Sequence, residues 1–352
     1  MSRLALLLLY LTGALACARG TMESAARVDV ALDGETMGST WHVKLSVPAD
    51  RRSAALAMQH AIDTTLERIN DEMSTYRPSS ELSRFNAAKS TAPMALSGEL
   101  AEVMASALEV GRLTDRAYDV TLDPLIDLWG FDRSGRKAVL PTAEQISAAR
   151  AHVGLDKLVQ EGKTLRKLDP ELSVNLGGIA AGFAVDVVCA DLDAAGFTDY
   201  MVEITGEVRA RGTNAQGHAW RIGIKVPERR ADAHELVAAV SLADAAVTTS
   251  GTYHNFSLGP DGKRYSHIID PRTGAPVESE LVSVTVLYAD ALTADAFDTA
   301  FVILGEQRAR EIIARLPGMG AYFIRQANDG ALSTSMTEGF PLVITPAPEH
   351  AP

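Results

Sequence analysis

"LSVNLGGIAAGFAVDVVCADLDAAG", residues 172–196, carries the fold decision for this chain. Its opening reads as a short strand. Gly177, Gly178 and Gly182 then make a turn, and an apolar helix runs to Gly196. Such a turn has two readings. Free amides at a helix N-terminus, with no side chain in the way, suit a phosphate or pyrophosphate. The same glycines also allow a helix to pack tightly against a strand. The stretch is neither G-x-G-x-x-G nor a Walker A loop, because Phe183 stands where the lysine would follow the last glycine.

Working outward, strands and helices mix without strict alternation. "VDVALDG" (28–34) and "TWHVKLSVP" (40–48) alternate as paired strands around "ETMGST". Met58, Ile62, Leu66, Ile69 and Met73 fall on one face of a helix over 55–73. A second helix opens at Ser97, with Glu99 in its first turn, and runs to about Leu113. Residues 118–132 mix strand and turn signals. Thr142 and Gln145 stand as a capping box for a helix over 141–154. Beyond Gly196, strands are expected at 200–212, 219–227 and 281–290. Two more, joined by the "GPDGK" turn, fall between Leu236 and Gly274. Helices are expected at 293–305 and 307–315. This pattern predicts an α+β fold over residues 28–340, as one body or two lobes. Residues 341–352 read as a disordered Pro-rich tail.

A net charge of −12 over 352 residues does not suit non-specific nucleic-acid binding, which leans on Lys and Arg contacts to phosphate, though a small basic pocket can sit in an acidic protein. Arg3, the apolar run Leu4–Leu11 and the small residues of "ALACA" form a secretory signal over residues 1–17. "GALAC" resembles a lipobox, which would make Cys17 a lipid-anchored N-terminus. "ACA" would instead suit a plain signal peptidase. Residues 18–27 read as a tether, and the exported protein is expected in a bacterial periplasm, anchored to the membrane. Cys189, the other of two cysteines, reads as a small buried hydrophobe.

Chemistry-bearing residues recur in four further places. Asp295 and Thr299 lie four apart on a helix and so share a face. Asp298 also falls within a turn of Asp295, and oxygen ligands of this type suit a hard cation; the other reading is a cap and a solvated face. His267, in "RYSHIIDPRTGAPV" (264–277), alternates with Tyr265 and Ile269 on a strand, as a base or as strand filler. Arg272 is a rim residue or a phosphate clamp. His254, in "TTSGTYHNF", is a second candidate base. "MGST" (37–40) and "STYRP" (74–78) offer Met37 and Tyr76 to pack on a flat ring.

Together with "YDVTLDPLIDLWGF", "VEITGEVRARG" and "SVTVLYADALTADAFDTAFVILG", these stretches resemble the ApbE family of FAD:protein FMN transferases, in family order over roughly residues 30–305. The resemblance implies a T-fold-related domain. It implies Mg²⁺-dependent transfer of FMN from FAD to a Thr or Ser hydroxyl of an acceptor protein, with AMP leaving. It implies acceptors such as subunits of Na⁺-pumping NADH:quinone oxidoreductase or of its Rnf relative. Some relatives hydrolyse FAD to FMN and AMP instead, and a flavin-binding lipoprotein without turnover is the reading from another class. By resemblance, Met37, Tyr76, Ala117, Tyr118, Asp119, Gly177, Phe183 and Ile269 contact the dinucleotide. The Ala180 carbonyl, Asp295 and Thr299 match the metal ligands, and His267 matches the general base. Ala181 stands where many relatives carry Lys, so Arg272 or another base would have to meet the phosphates.

Overall fold

Alternating apolar positions build an eight-stranded sheet in which every neighbouring pair is antiparallel. The spatial order is Arg27–Thr36, Ser39–Pro48, Tyr200–Ile204, Glu207–Arg211, Ala245–Gly251, Leu281–Tyr288, Gly320–Gln326 and Leu332–Met336. The computed structural model describes residues 26–131, 140–227, 235–253, 256–327 and 329–343. Met37 and Gly38 close the first hairpin with positive φ at both positions, the backbone of a type I′ turn that matches strand twist.

The two faces of this sheet bury different partners, and the period of two decides which residue goes where. Tyr200, Val202, Val284, Val286, Ala321 and Phe323 pack into the main core with the helices Arg52–Met73, Gly98–Leu113, Ala180–Ala194 and Ala291–Leu304. Val208, Ala210 and Val247, with Tyr322 and Ile324, face the other way. They meet a small sheet in which Leu236–Leu242 lies between Trp220–Lys225 and Leu342–Val343. The result is helices, large sheet, small sheet. A satellite cluster joins the helices Asp123–Leu128 and Ala143–Arg150 to Ile269 through Leu125 and Trp129.

The predicted helices form where periodicity and caps placed them. Ser97 caps Gly98–Leu113, and the Thr142/Gln145 box is complete. Four expectations are corrected. Residues 172–179 form no strand; the Val174 amide donates to the Asn86 side chain and the Asn175 amide to the Val120 carbonyl, so a loop takes the place of a ladder. Residues 118–131 hold a short helix, Asp123–Leu128, started by Pro124 in its first turn. The described residues from Leu236 to Gly274 carry five strands rather than two. Leu342–Val343 is a strand in the small sheet and not part of a tail. The signal and lipobox at residues 1–17 and the rest of the expected tail, 344–352, lie outside the described residues, as does His254. Among the described residues no helix is long and apolar enough to cross a membrane.

The helices Ala180–Ala194 and Ala291–Leu304 meet at Gly182. A Cβ there would lie 2.3 Å from the Ala291 carbonyl oxygen and 2.8 Å from Asp295 Cβ. Backbone cannot yield as a flexible side chain can. Gly182→Ala is therefore expected to lose about 3 kcal/mol in urea unfolding, the upper part of the overpacking range. A variant as stable as wild type would show that the helices separate easily.

Candidate active site

A cleft of about 900 Å³ opens where the helix layer, the glycine loop and the small sheet converge. That volume is at the top of the usual range for small-molecule sites, roughly 300–1,000 Å³. His267, Tyr76, Ala117, Tyr118, Asp119, Gly177, Ile269, Asp295 and Thr299 all line it. These residues are far apart in the chain, and the fold brings them to one place.

Met37, Ala180 and Phe183 are not on that wall. Met37 sits at the tip of the first hairpin, packed against the main core. Ala180 is the first residue of its helix, and Phe183, one turn on, is 4% exposed and packs inward. The helix starts at Ala180, so the glycine loop presents Gly177 and Gly178 to the cleft while the next turn goes to the core.

The acidic end of the site is the helix Ala291–Leu304. Asp290 caps it, accepting from the Thr293 amide at 2.8 Å. Asp186 accepts from the Ala291 and Leu292 amides at 3.1 and 2.8 Å. Those two carboxylates take the helix-dipole position; Asp295 sits beyond the first turn. Asp295 is 4% exposed and Asp298 1%, which rules out a solvated face. Asp295 Oδ2 accepts from the Gly182 amide at 2.9 Å. Thr299 Oγ1 lies 3.2 Å from Asp298 Oδ1 and 3.3 Å from Ser250 Oγ.

Burial pushes the Asp295 carboxyl up to about 7, against the pull of the Gly182 amide. Burial and then Asp295 push Asp298 well up. Among the described residues neither carboxylate forms an ion pair. Two buried acids one turn apart without a cation are costly in the ionised state. A hydroxyl at Thr299 beside them completes an all-oxygen set. No group of three His, Cys, Asp or Glu side chains is placed as a metal cage among the described residues. Asp295, Asp298 and Thr299 offer oxygen donors only, the kind that suits a hard cation such as Mg²⁺.

The sequence marks Asp298 only as a neighbour of Asp295 within a turn, and it does not mark Glu207. Glu207 lines the cleft, and burial, then Asp295 and Asp298, raise its carboxyl well above the ordinary range. The available signal was the alternation in "GEVRARG", which sets Glu207 and Arg209 opposite Val208 and Ala210. Tyr118 is buried beside the same acids; its phenol donates to the Gly178 carbonyl at 3.1 Å and braces the glycine loop. Asp119 accepts from the Thr121 amide at 2.8 Å, and burial raises its carboxyl.

His267 does not lie inside a strand. It occupies a bend between Arg264–Ser266 and Ile269–Asp270, half-buried, with Ile268 and Ile269 both buried behind it. The Ile268 amide donates to Ser266 Oγ, which turns the chain there. The bend breaks the alternation and lets His267 face the cleft. Arg272 is not a clamp: its guanidinium forks onto Asp270 at 2.9 and 2.7 Å and is absent from the cleft wall.

Comparison with known proteins gives a consistent result. The ApbE family profile matches residues 37–323. A Vibrio cholerae protein named FAD:protein FMN transferase is 45% identical over 284 residues, 80% of this chain and 84% of that one. A Salmonella typhimurium protein of the same name is 39% identical over 314 residues, 88% and 87% of the two chains. The structure of the flavin transferase ApbE from Vibrio cholerae superposes with a TM-score of 0.80 at 40% identity, covering 89% of this chain and 98% of that one. The apo flavinyl transferase ApbE of Pseudomonas stutzeri gives 0.79 at 36% identity, over 89% and 95%. With its large antiparallel sheet and helical layer matched over most of its length, the chain belongs to the ApbE family.

Proposed function

We propose that this chain is an enzyme that transfers FMN from FAD to a protein, and that the acceptor atom is a Thr or Ser hydroxyl oxygen. The observation that carries the reading is the meeting of His267, the glycine loop and the Asp295–Thr299 acids in one cleft, in a chain 45% identical to a protein named for that reaction.

The chemistry follows from what each residue can do. The acceptor oxygen attacks the phosphorus of the FMN half, the bond to the bridging oxygen breaks, and AMP leaves. An alcohol is a weak nucleophile until its proton is taken. His267 takes that proton at an imidazole nitrogen. Gly177 and Gly178 let backbone approach the pyrophosphate, and Tyr118 holds the loop through Gly178. Asp295, Asp298 and Thr299 would hold Mg²⁺; family resemblance adds the Ala180 carbonyl as a further ligand. When bound, the ion neutralises charge on the phosphate oxygens. Tyr76, 64% exposed at the mouth, is placed to pack on a flat ring.

The acceptor is taken to be a respiratory redox subunit of the Na⁺-pumping or Rnf type, met in the periplasm by a protein anchored through Cys17. Support for this comes from the signal and lipobox in the sequence and from family resemblance.

The test is mass spectrometry of a Thr-containing acceptor domain after incubation with this protein, FAD and Mg²⁺. A mass gain of FMN less water, lost on chelation, is the expected result. FMN and AMP released without labelling would instead assign an FAD pyrophosphohydrolase.

A further inference from the structure

We propose that Lys225 binds the phosphates of the dinucleotide in the cleft, a role that rests on the FMN-transfer reading. Lys225 ends the strand Trp220–Lys225 of the small sheet. Along that strand Trp220 and Ile224 are buried, while Arg221, Gly223 and Lys225 are exposed. At its end the ladder slips: Ile224 pairs with Ala238, but Lys225 pairs with Leu236. Val237 is thus an extra residue in the partner strand. Bulges of this kind re-aim side chains beside functional sites.

Lys225 is the one Lys or Arg on the cleft wall among the described residues. It shares that wall with Asp119, Glu207, Asp295 and Asp298. Other nearby cations are committed: Arg209 pairs with Asp186 at 2.5 Å and Arg272 with Asp270 at 2.7 Å. The Lys225 ammonium makes no hydrogen bond or ion pair among the described residues; it acts on the Glu203 carboxyl through space, helping to offset the rise that burial causes there. FAD brings a doubly charged pyrophosphate into this acidic cleft. An uncommitted ammonium on a flexible stem is a point charge suited to phosphate. Lysine on an edge strand also serves to block sheet-to-sheet pairing, and Trp220–Lys225 is an edge. That role alone would affect solubility and leave FAD kinetics as they were.

The experiment is steady-state FMN transfer by the full chain, varying FAD and acceptor separately at low and at raised salt. Lys225→Ala is expected to raise the KM for FAD about tenfold at low salt, the worth of one charge-assisted hydrogen bond. The acceptor KM should not move, the gap should narrow with salt, and Lys225→Arg should recover most of the loss. An unchanged FAD KM overturns the inference while leaving the transfer reading intact, as does a shift confined to the acceptor KM. A wild-type protein that transfers nothing overturns both.

Discussion

Asp295→Asn is expected to reduce FMN transfer about a thousandfold and, in the metal-free protein at pH 8, to raise the melting temperature. Both effects come from one carboxylate. Removing it takes away a ligand for the ion that would neutralise the phosphates. Such charge stabilisation is worth several kcal/mol, and each 1.36 kcal/mol is a decade in rate. The stability effect has the opposite sign. Asp295 is raised to about 7 by burial, so the folded state holds its proton at pH values where the unfolded chain has lost it. Stability therefore falls as pH rises from the ordinary carboxylate range through about 7, and the cost is complete above that. An amide removes the cost while keeping the shape and an acceptor for the Gly182 amide. A rise of about 2–4 °C per kcal/mol recovered is the scale for a protein slightly smaller than this one. The measurements are transfer rate and thermal melts with and without Mg²⁺. A variant that melts lower than wild type without metal would mean the carboxylate is structural, and the assignment of this acid pair to a cation would fall.

His267→Ala is expected to slow transfer about 10²–10⁴-fold, the usual contribution of a positioned base, with FAD affinity retained. The residue is half-buried on a bend, so truncation leaves no large cavity. Single-turnover labelling of an acceptor, beside flavin fluorescence quenching as FAD is titrated, separates the two effects. Added imidazole should restore part of the rate in the alanine variant. A fall in FAD affinity that matches the fall in rate would make His267 a binding residue and leave the proton without an assigned acceptor.

Long helices and paired strands were legible because their signals are local. Met58, Ile62, Leu66, Ile69 and Met73 repeat at helical spacing, and Thr142 with Gln145 marks a start. The strand expected before Gly177 failed because its apolar residues are also what a buried loop uses; Val174 and Leu176 go inward while the Val174 amide donates to Asn86 and the Asn175 amide to Val120. In the site, the pair Asp295 and Thr299 followed from spacing. Glu207 and Lys225 did not, because each looks like the polar face of a half-buried strand until the fold sets that face against a cleft. Arg272 failed for the reverse reason: a basic residue after a turn looked available, and its partner Asp270 was two positions away.

The helices Ala180–Ala194 and Ala291–Leu304 hold each other by exchange. Asp186 of the first receives the opening amides of the second, and Asp295 of the second receives the Gly182 amide of the first. Fraying of the first at Gly182 would take from buried Asp295 its amide donor, and fraying of the second would leave half-buried Asp186 with Arg209 alone. The pair forms a single cooperative unit, with opening energy near that of global unfolding instead of that of a loop. FAD and acceptor then reach these acids from the rim, where the cleft opens between Tyr76 and the small sheet.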